Sequence, residues 1–172
     1  MAHELYTRTN QKLYFAGLAL ESWRKAEEGR AMNAQALVQA EREAALFHLY
    51  GALLGLCHEI AGYYRLPEAN APRPEMLLTA DVLAAAPSPE LSELVELAQQ
   101  QETWLAELLV AYGALFLPPQ APKKAKVDPT LPLIEAVSVD DEPLALSRAT
   151  LEEWRQHLKN LALRFREALS EC

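Results

Sequence analysis

From Ala44 to Tyr64 the chain is apolar nearly all the way round a helix, and the interruptions fall on one side. At ~100° per residue, His48, Gly51, Gly55, His58 and Gly62 share a wedge of about 80°. Leu46, Leu49, Tyr50, Leu53, Leu56, Cys57, Ile60, Tyr63 and Tyr64 take the rest of the circumference. A helix that is apolar on most sides belongs at the centre of a packed domain. Its pattern starts near Asn33 and ends by Arg65, because Leu66 precedes Pro67 and a residue before proline is pushed out of helical geometry.

The same periodicity predicts further helices on both sides. From Glu4 to Glu28, Tyr6, Leu13, Ala16, Leu20 and Trp23 form one stripe, and Gly29 supplies a stop. Pro74 and Glu75 suit the first turn of a short helix reaching Ala86. Ser88-Pro89-Glu90 then opens a long helix with Leu91, Leu94, Val95, Ala98, Leu105, Leu108, Tyr112 and Leu115 on its inner face, closed near Leu117 by Pro118-Pro119. Thr150 and Glu153 have capping-box spacing ahead of a last helix, where Leu151, Trp154, Leu158, Leu161, Phe165 and Ala168 recur at alternating three and four.

Between these last two helices, positions 118–148 hold six prolines and the apolar patch Leu131-Pro132-Leu133-Ile134. A connection of roughly thirty residues with little helix potential is a functional loop or a linker. Its lysine-bearing part is expected to be mobile, and Leu131 to Val139 to lie extended across the domain. The predicted fold is all-α: a single domain, 1–172, built as a four-helix bundle with one additional short helix and an extended Pro-rich crossover before the last helix.

Charge and composition narrow the function. A net charge of −8 repels phosphate backbones, and the only basic cluster is Lys123, Lys124 and Lys126, so no nucleic-acid partner is expected. Two cysteines, Cys57 and Cys172, make no disulfide framework and fit a reducing, cytoplasmic setting. Glu4, Arg8 and Lys12 interrupt any leader-like run. The uncharged run Ala44–Cys57 falls short of the ~18 residues of a membrane span, so no membrane partner is expected either.

The glycine and histidine face carries the main question about chemistry. Each interior glycine costs a helix about 1 kcal/mol relative to alanine, so Gly51, Gly55 and Gly62 on one side call for a compensating contact. Close packing within the chain, a homodimer interface and a ligand slot all satisfy that demand. Thr9 and Asn10 lie close to the inner stripe of the first helix, and Gln101 and Glu102 occupy apolar positions of the fourth. These four predict one buried polar layer. A pocket lined by Tyr6, Asn10, Tyr14, His48 and Glu102 is the alternative, with His58 as a second histidine open to catalysis or binding. The histidines are ten positions apart, ~15 Å along one helix, and cannot share an ion. With no Glu-x-x-His and no paired ligands at zinc spacing, no metal and no cofactor are expected. No Gly-x-Ser-x-Gly elbow or phosphate-cradling glycine loop occurs.

Arg42 and His48 have the spacing of the arginine and histidine in HEPN ribonucleases, an all-helical family whose dimers join two such motifs. The resemblance is confined to those two residues, Glu43 departs from the family's preference, and Arg42 projects about 120° from His48 on a regular helix. More of the chain resembles another family. Leu5-Tyr6-Thr7-Arg8-Thr9-Asn10-Gln11-Lys12-Leu13-Tyr14-Phe15-Ala16-Gly17-Leu18, followed by Trp23, is similar to the start of an uncharacterised bacterial helical family of unknown function, and the similarity continues to Tyr63-Tyr64. The resemblance implies a small bacterial cytoplasmic protein and transfers no catalytic or binding residue. The expectation is a non-catalytic interaction or scaffolding protein that self-associates or takes a protein partner. A ligand-binding bundle or an enzyme using His48 or His58 stands as the alternative.

Overall fold

The computed structural model describes residues 2–118 and 146–171, and there every regular element is helical. The α-helices are α1 (Ala2–Glu28), α2 (Ala34–Tyr63), α3 (Ala80–Ala85), α4 (Pro89–Gln99), α5 (Trp104–Ala114) and α6 (Arg148–Ser170), with a 3-10 turn at Pro74–Met76. The crossing expected of Leu131 to Val139 and the mobility expected of the lysine portion lie outside the described residues.

α2 is the axis. It buries Leu46, Leu49, Leu53, Leu56 and Ile60 almost completely, together with Ala45, Ala52 and Ala61. By length and composition it is also the one described helix able to cross a membrane, yet 67% of its most apolar window is buried against the rest of the molecule. Its C-terminus closes as a Schellman motif: Leu66 N–H donates to Ala61 O at 2.8 Å and Arg65 N–H to Gly62 O at 3.3 Å. Arg65 sits at φ 54°, a left-handed conformation in which a side chain costs roughly 1–2 kcal/mol. This motif, and not only the restriction ahead of Pro67, ends the helix at Tyr63.

α1 returns antiparallel along α2, with Leu5 beside Gly62, Thr9 beside Gly55 and Lys12 beside Gly51. At the other end of the pair Arg42 lies over the Trp23 ring at 5.0 Å. α6 runs against α1 in the opposite sense, from Arg148 beside Glu27 to Arg166 beside Asn10. It buries Leu151, Trp154, Leu158, Leu161, Phe165 and Leu169 along one stripe. The helix starts earlier than the Thr150–Glu153 spacing predicts. Ser147 is its N-cap and accepts from Thr150 N–H at 3.1 Å.

The long helix expected from Ser88 to Leu117 is two helices. Ser88 caps α4 as expected, but the chain leaves helical geometry at Gln100, and Thr103 starts α5 by accepting from Ala106 N–H while donating to the Leu97 carbonyl. Apolar Ala98 and Leu105 are seven apart, so the stripe runs straight through the break and conceals it. The short helix expected over Pro74–Ala86 is likewise split into the 3-10 turn and α3, which Thr79 caps. Tyr112 of α5 stacks on Tyr50 of α2 at 3.6 Å between ring centroids, and Glu93 of α4 pairs with Arg164 of α6 at 2.6 Å.

Candidate functional site

The glycine face of α2 is turned toward α1, whose side chains occupy the space it leaves. A Cβ on Gly55 would lie 2.6 Å from Thr9 Oγ1 and 3.2 Å from Thr9 Cα. On Gly51 it would lie 3.0 Å from the Lys12 stem, and on Gly62 3.0 Å from Leu5 Cδ1. The same device recurs on α1, where the Arg155 guanidinium of α6 lies flat over Gly17 and donates to Leu13 O at 2.9 Å.

Beside Gly55 the structure assembles a buried polar layer. Thr9 donates to Glu59 Oε2 at 2.5 Å, and Arg166 donates through Nε to Oε1 at 2.7 Å and through Nη2 to Oε2 at 3.1 Å. Its remaining Nη1 reaches Asn10 Oδ1 at 2.9 Å, and the Tyr6 ring lies 4.5 Å from the guanidinium carbon. The Glu59 side chain is 3% exposed and that of Arg166 16%. Glu59 Oε1 accepts one bond and Oε2 two, all from side chains of α1 and α6, so the carboxylate is held as an acceptor between helices. Its chemistry is that of a joint between α1, α2 and α6.

The candidate residues do not gather into one pocket. Tyr6 and Asn10 meet at Arg166, and Asn10 and Tyr14 line a shallow groove of 260 Å³ between α1 and α6 with Lys159 and Leu163. Glu102 and Gln101 are exposed in the break between α4 and α5, which removes them from the polar layer expected of them. They fall where the two helices part, so the apolar register does not apply to them. The layer's other members are Glu59 and Arg166 instead. His58 accepts from or donates to nothing in that layer; its Nε2 lies 2.7 Å from Ala71 O, fastening the 64–79 segment to α2.

Among the described residues, His48 is the one with a buried side-chain polar atom that packing leaves without a partner. Its ring meets Phe15 and Phe47 edge-on at 5.4 and 5.3 Å, and its Nδ1 is buried without a hydrogen-bond partner. Burial, with Lys12 nearby, holds the imidazole below its ordinary value of 6.5. Lys12 itself stretches over the Phe47 ring at 4.8 Å, and burial with help from Arg8 holds its ammonium below the usual lysine range. Arg42 turns to Trp23 and to Leu146 O at 3.1 Å, so the spacing shared with HEPN ribonucleases does not bring Arg42 and His48 together here. Among the described residues no three His, Cys, Asp or Glu side chains converge as metal ligands.

Sequence reasoning turned at least one of Thr9 and Asn10 inward, and Thr9 is the buried one while Asn10 is exposed; it missed Glu59 and Arg166. Glu59 lies four positions after Gly55 on the face toward Thr9, which was the available signal for a buried acceptor. Arg166 follows Ala162 by four on α6 and sits beside the buried stripe.

No curated protein and no solved structure matches this chain. Residues 1–172 match a family of unknown function, so the chain belongs to the DUF6586 family.

Proposed function

We propose that this chain is a non-catalytic interaction or scaffolding protein: a cytoplasmic four-helix bundle in which the α4–α5 pair takes the fourth place, and which self-associates through a helix surface. The observation that carries this reading is the use made of the polar groups. Glu59, Arg166, Thr9 and His58 all hold one helix or segment to another, while Val110 of α5 and Phe116 and Leu117 just beyond it are exposed apolar side chains. Nucleic acid and membrane are not its partners in this reading, given the charge of −8 and the burial of α2. Native mass spectrometry on protein isolated from its own cells tests it. The expected mass is one or more whole chains and nothing else; added mass that leaves on denaturation contradicts the non-catalytic, ligand-free reading.

A second reading, a small apolar ligand held beside His48, is favoured by the buried, unpartnered Nδ1 between Phe15 and Phe47. It predicts that His48→Ala keeps the fold and loses retained ligand, whereas a packing role predicts a lower melting temperature with no ligand to lose.

A further inference from the structure

α6 carries four arginines, and each has a carboxylate: Glu27 for Arg148, Glu152 for Arg155, Glu93 for Arg164 and Glu59 for Arg166. Lys159, on the same helix, has no ion-pair partner among the described residues, and no acidic residue stands three or four positions to either side of it. It lines the 260 Å³ groove between α1 and α6, with Arg155 about one turn before it and Arg166 about two turns after. No described carboxylate lines this groove. Its polar groups offer hydrogen bonds outward: Arg166 Nη1 occupies Asn10 Oδ1, which leaves the Asn10 amide N–H to donate, and the Tyr14 hydroxyl donates as well. Leu163 and Tyr14, 54% and 61% exposed, add uncovered apolar surface beside them.

We propose that this groove takes an acidic segment of a partner protein, with a Glu or Asp carboxylate on Lys159 and an adjoining apolar side chain against Leu163 and the Tyr14 ring. The proposal rests on the reading of the chain as an interaction protein and names a surface and the chemistry of its partner. Charge selects the occupant. Glu152 and Glu59 balance Arg155 and Arg166, so Lys159 is the unbalanced charge of the groove. A carboxylate laid there gains a counter-ion and finds donors in Asn10 and Tyr14 to complete its hydrogen bonds. A basic segment meets cations alone, and a neutral one covers Lys159 without pairing it, which desolvates its ammonium for no gain.

Shape separates a protein segment from a small ligand. Ligand clefts are about 300–1,000 Å³ and bury roughly 70–90% of what they hold, whereas this groove is smaller and its Tyr14 and Leu163 stand in solvent. A protein segment brings its own chain to cover them. From Arg155 to Arg166 the groove runs about 16 Å along α6, the length of roughly five extended residues. A contact of that size is weak, and because it rests on charge at an open surface it weakens further as salt rises.

Selection of random phage-displayed peptides on the full chain tests the proposal, with peptides of about twelve residues so that their length exceeds the groove. The recovered peptides should be rich in Glu and Asp around a Leu, Phe or Tyr. In fluorescence anisotropy the strongest of them, made as a free peptide, should bind Lys159→Glu at least about tenfold more weakly than wild type, and Lys159→Arg nearly as well as wild type. Lys159 is exposed, so neither change should move helicity or melting temperature. Neutral or basic peptides, no enrichment, or acidic peptides that bind Lys159→Glu as well as wild type overturn this surface while the interaction reading stands. A dimer in sedimentation equilibrium that Lys159→Glu dissolves overturns it too, by giving the groove to a second copy. So does inorganic phosphate that binds wild type and not Lys159→Glu when no acidic peptide is recovered, which makes the groove a small-anion site.

Discussion

Arg166 grips Glu59 with two N–H donors, Nε to Oε1 at 2.7 Å and Nη2 to Oε2 at 3.1 Å, where α1, α2 and α6 meet. The pair is nearly dry, and Thr9 and Asn10 complete its hydrogen bonds from α1. Such a buried pair adds little net stability against an apolar substitute, but either half alone is strongly unfavourable. It therefore acts as a register pin: the three helices can slide or rotate only by stranding a charge.

Gly55 and Gly113 form a matched contrast. Gly55→Ala gains about 1 kcal/mol of helix propensity. The new Cβ nevertheless meets Thr9 Oγ1 at 2.6 Å and backbone Cα at 3.2 Å, so α1 must move as a body. The expected net result is a loss of about 1–3 kcal/mol in urea unfolding. Gly113→Ala, which meets nothing, should gain up to about 1 kcal/mol at concentrations where the chain is single. Equal effects at the two sites would contradict the packing described for α1 on α2.

His48 makes stability depend on pH in a set direction. Its folded-state value lies below 6.5, so the unfolded chain binds this proton more readily than the folded one. Its contribution is complete above the free imidazole value and is lost as pH falls from about 6.5 through the lowered folded value. The difference between wild type and His48→Gln in melting temperature against pH isolates this contribution from that of the carboxylates. Wild type should lose stability faster than the variant across that window, and parallel curves would show that His48 is not held neutral by the fold.

The helix pattern was legible where one periodic face is buried along its whole length, as for Ala16, Leu20 and Trp23 on α1 or Leu151, Trp154 and Leu158 on α6. It misled at Gln100–Thr103, because two short helices in line keep the spacing of one, and only Thr103 ahead of a fresh apolar run marked the new start. The glycine face could be read from α2 alone. What faces it could not, since that depends on the register of α1 against α2. The polar layer was half legible for a related reason. Thr9 and Asn10 stand out against apolar neighbours, while Arg166 is one of several arginines on α6 until the fold brings it to Glu59.

Cys57 is expected to be chemically silent in the folded chain. Burial, and then the Glu75 carboxylate, push its thiol up to about 12, so the thiolate is scarce at neutral pH and the sulfur is out of reach. On a Cys172→Ser background, alkylation should follow the opening of the protein, with rates across a urea series tracking the unfolded fraction. Stoichiometric labelling of the native protein would mean that the α2 core opens readily.

The pinned three-helix joint is tested most directly by a double-mutant cycle in chemical denaturation, with Glu59→Met, Arg166→Met and both together. Each single change should cost about 3–5 kcal/mol, because it leaves a buried charge without its partner. The double variant should lose far less than their sum, with a residue of about 1–3 kcal/mol for the Thr9 hydroxyl that no longer has its acceptor. Additive losses, or single variants within about 0.5 kcal/mol of wild type, the range of ordinary surface changes, would show that Glu59 and Arg166 do not hold α1, α2 and α6 together.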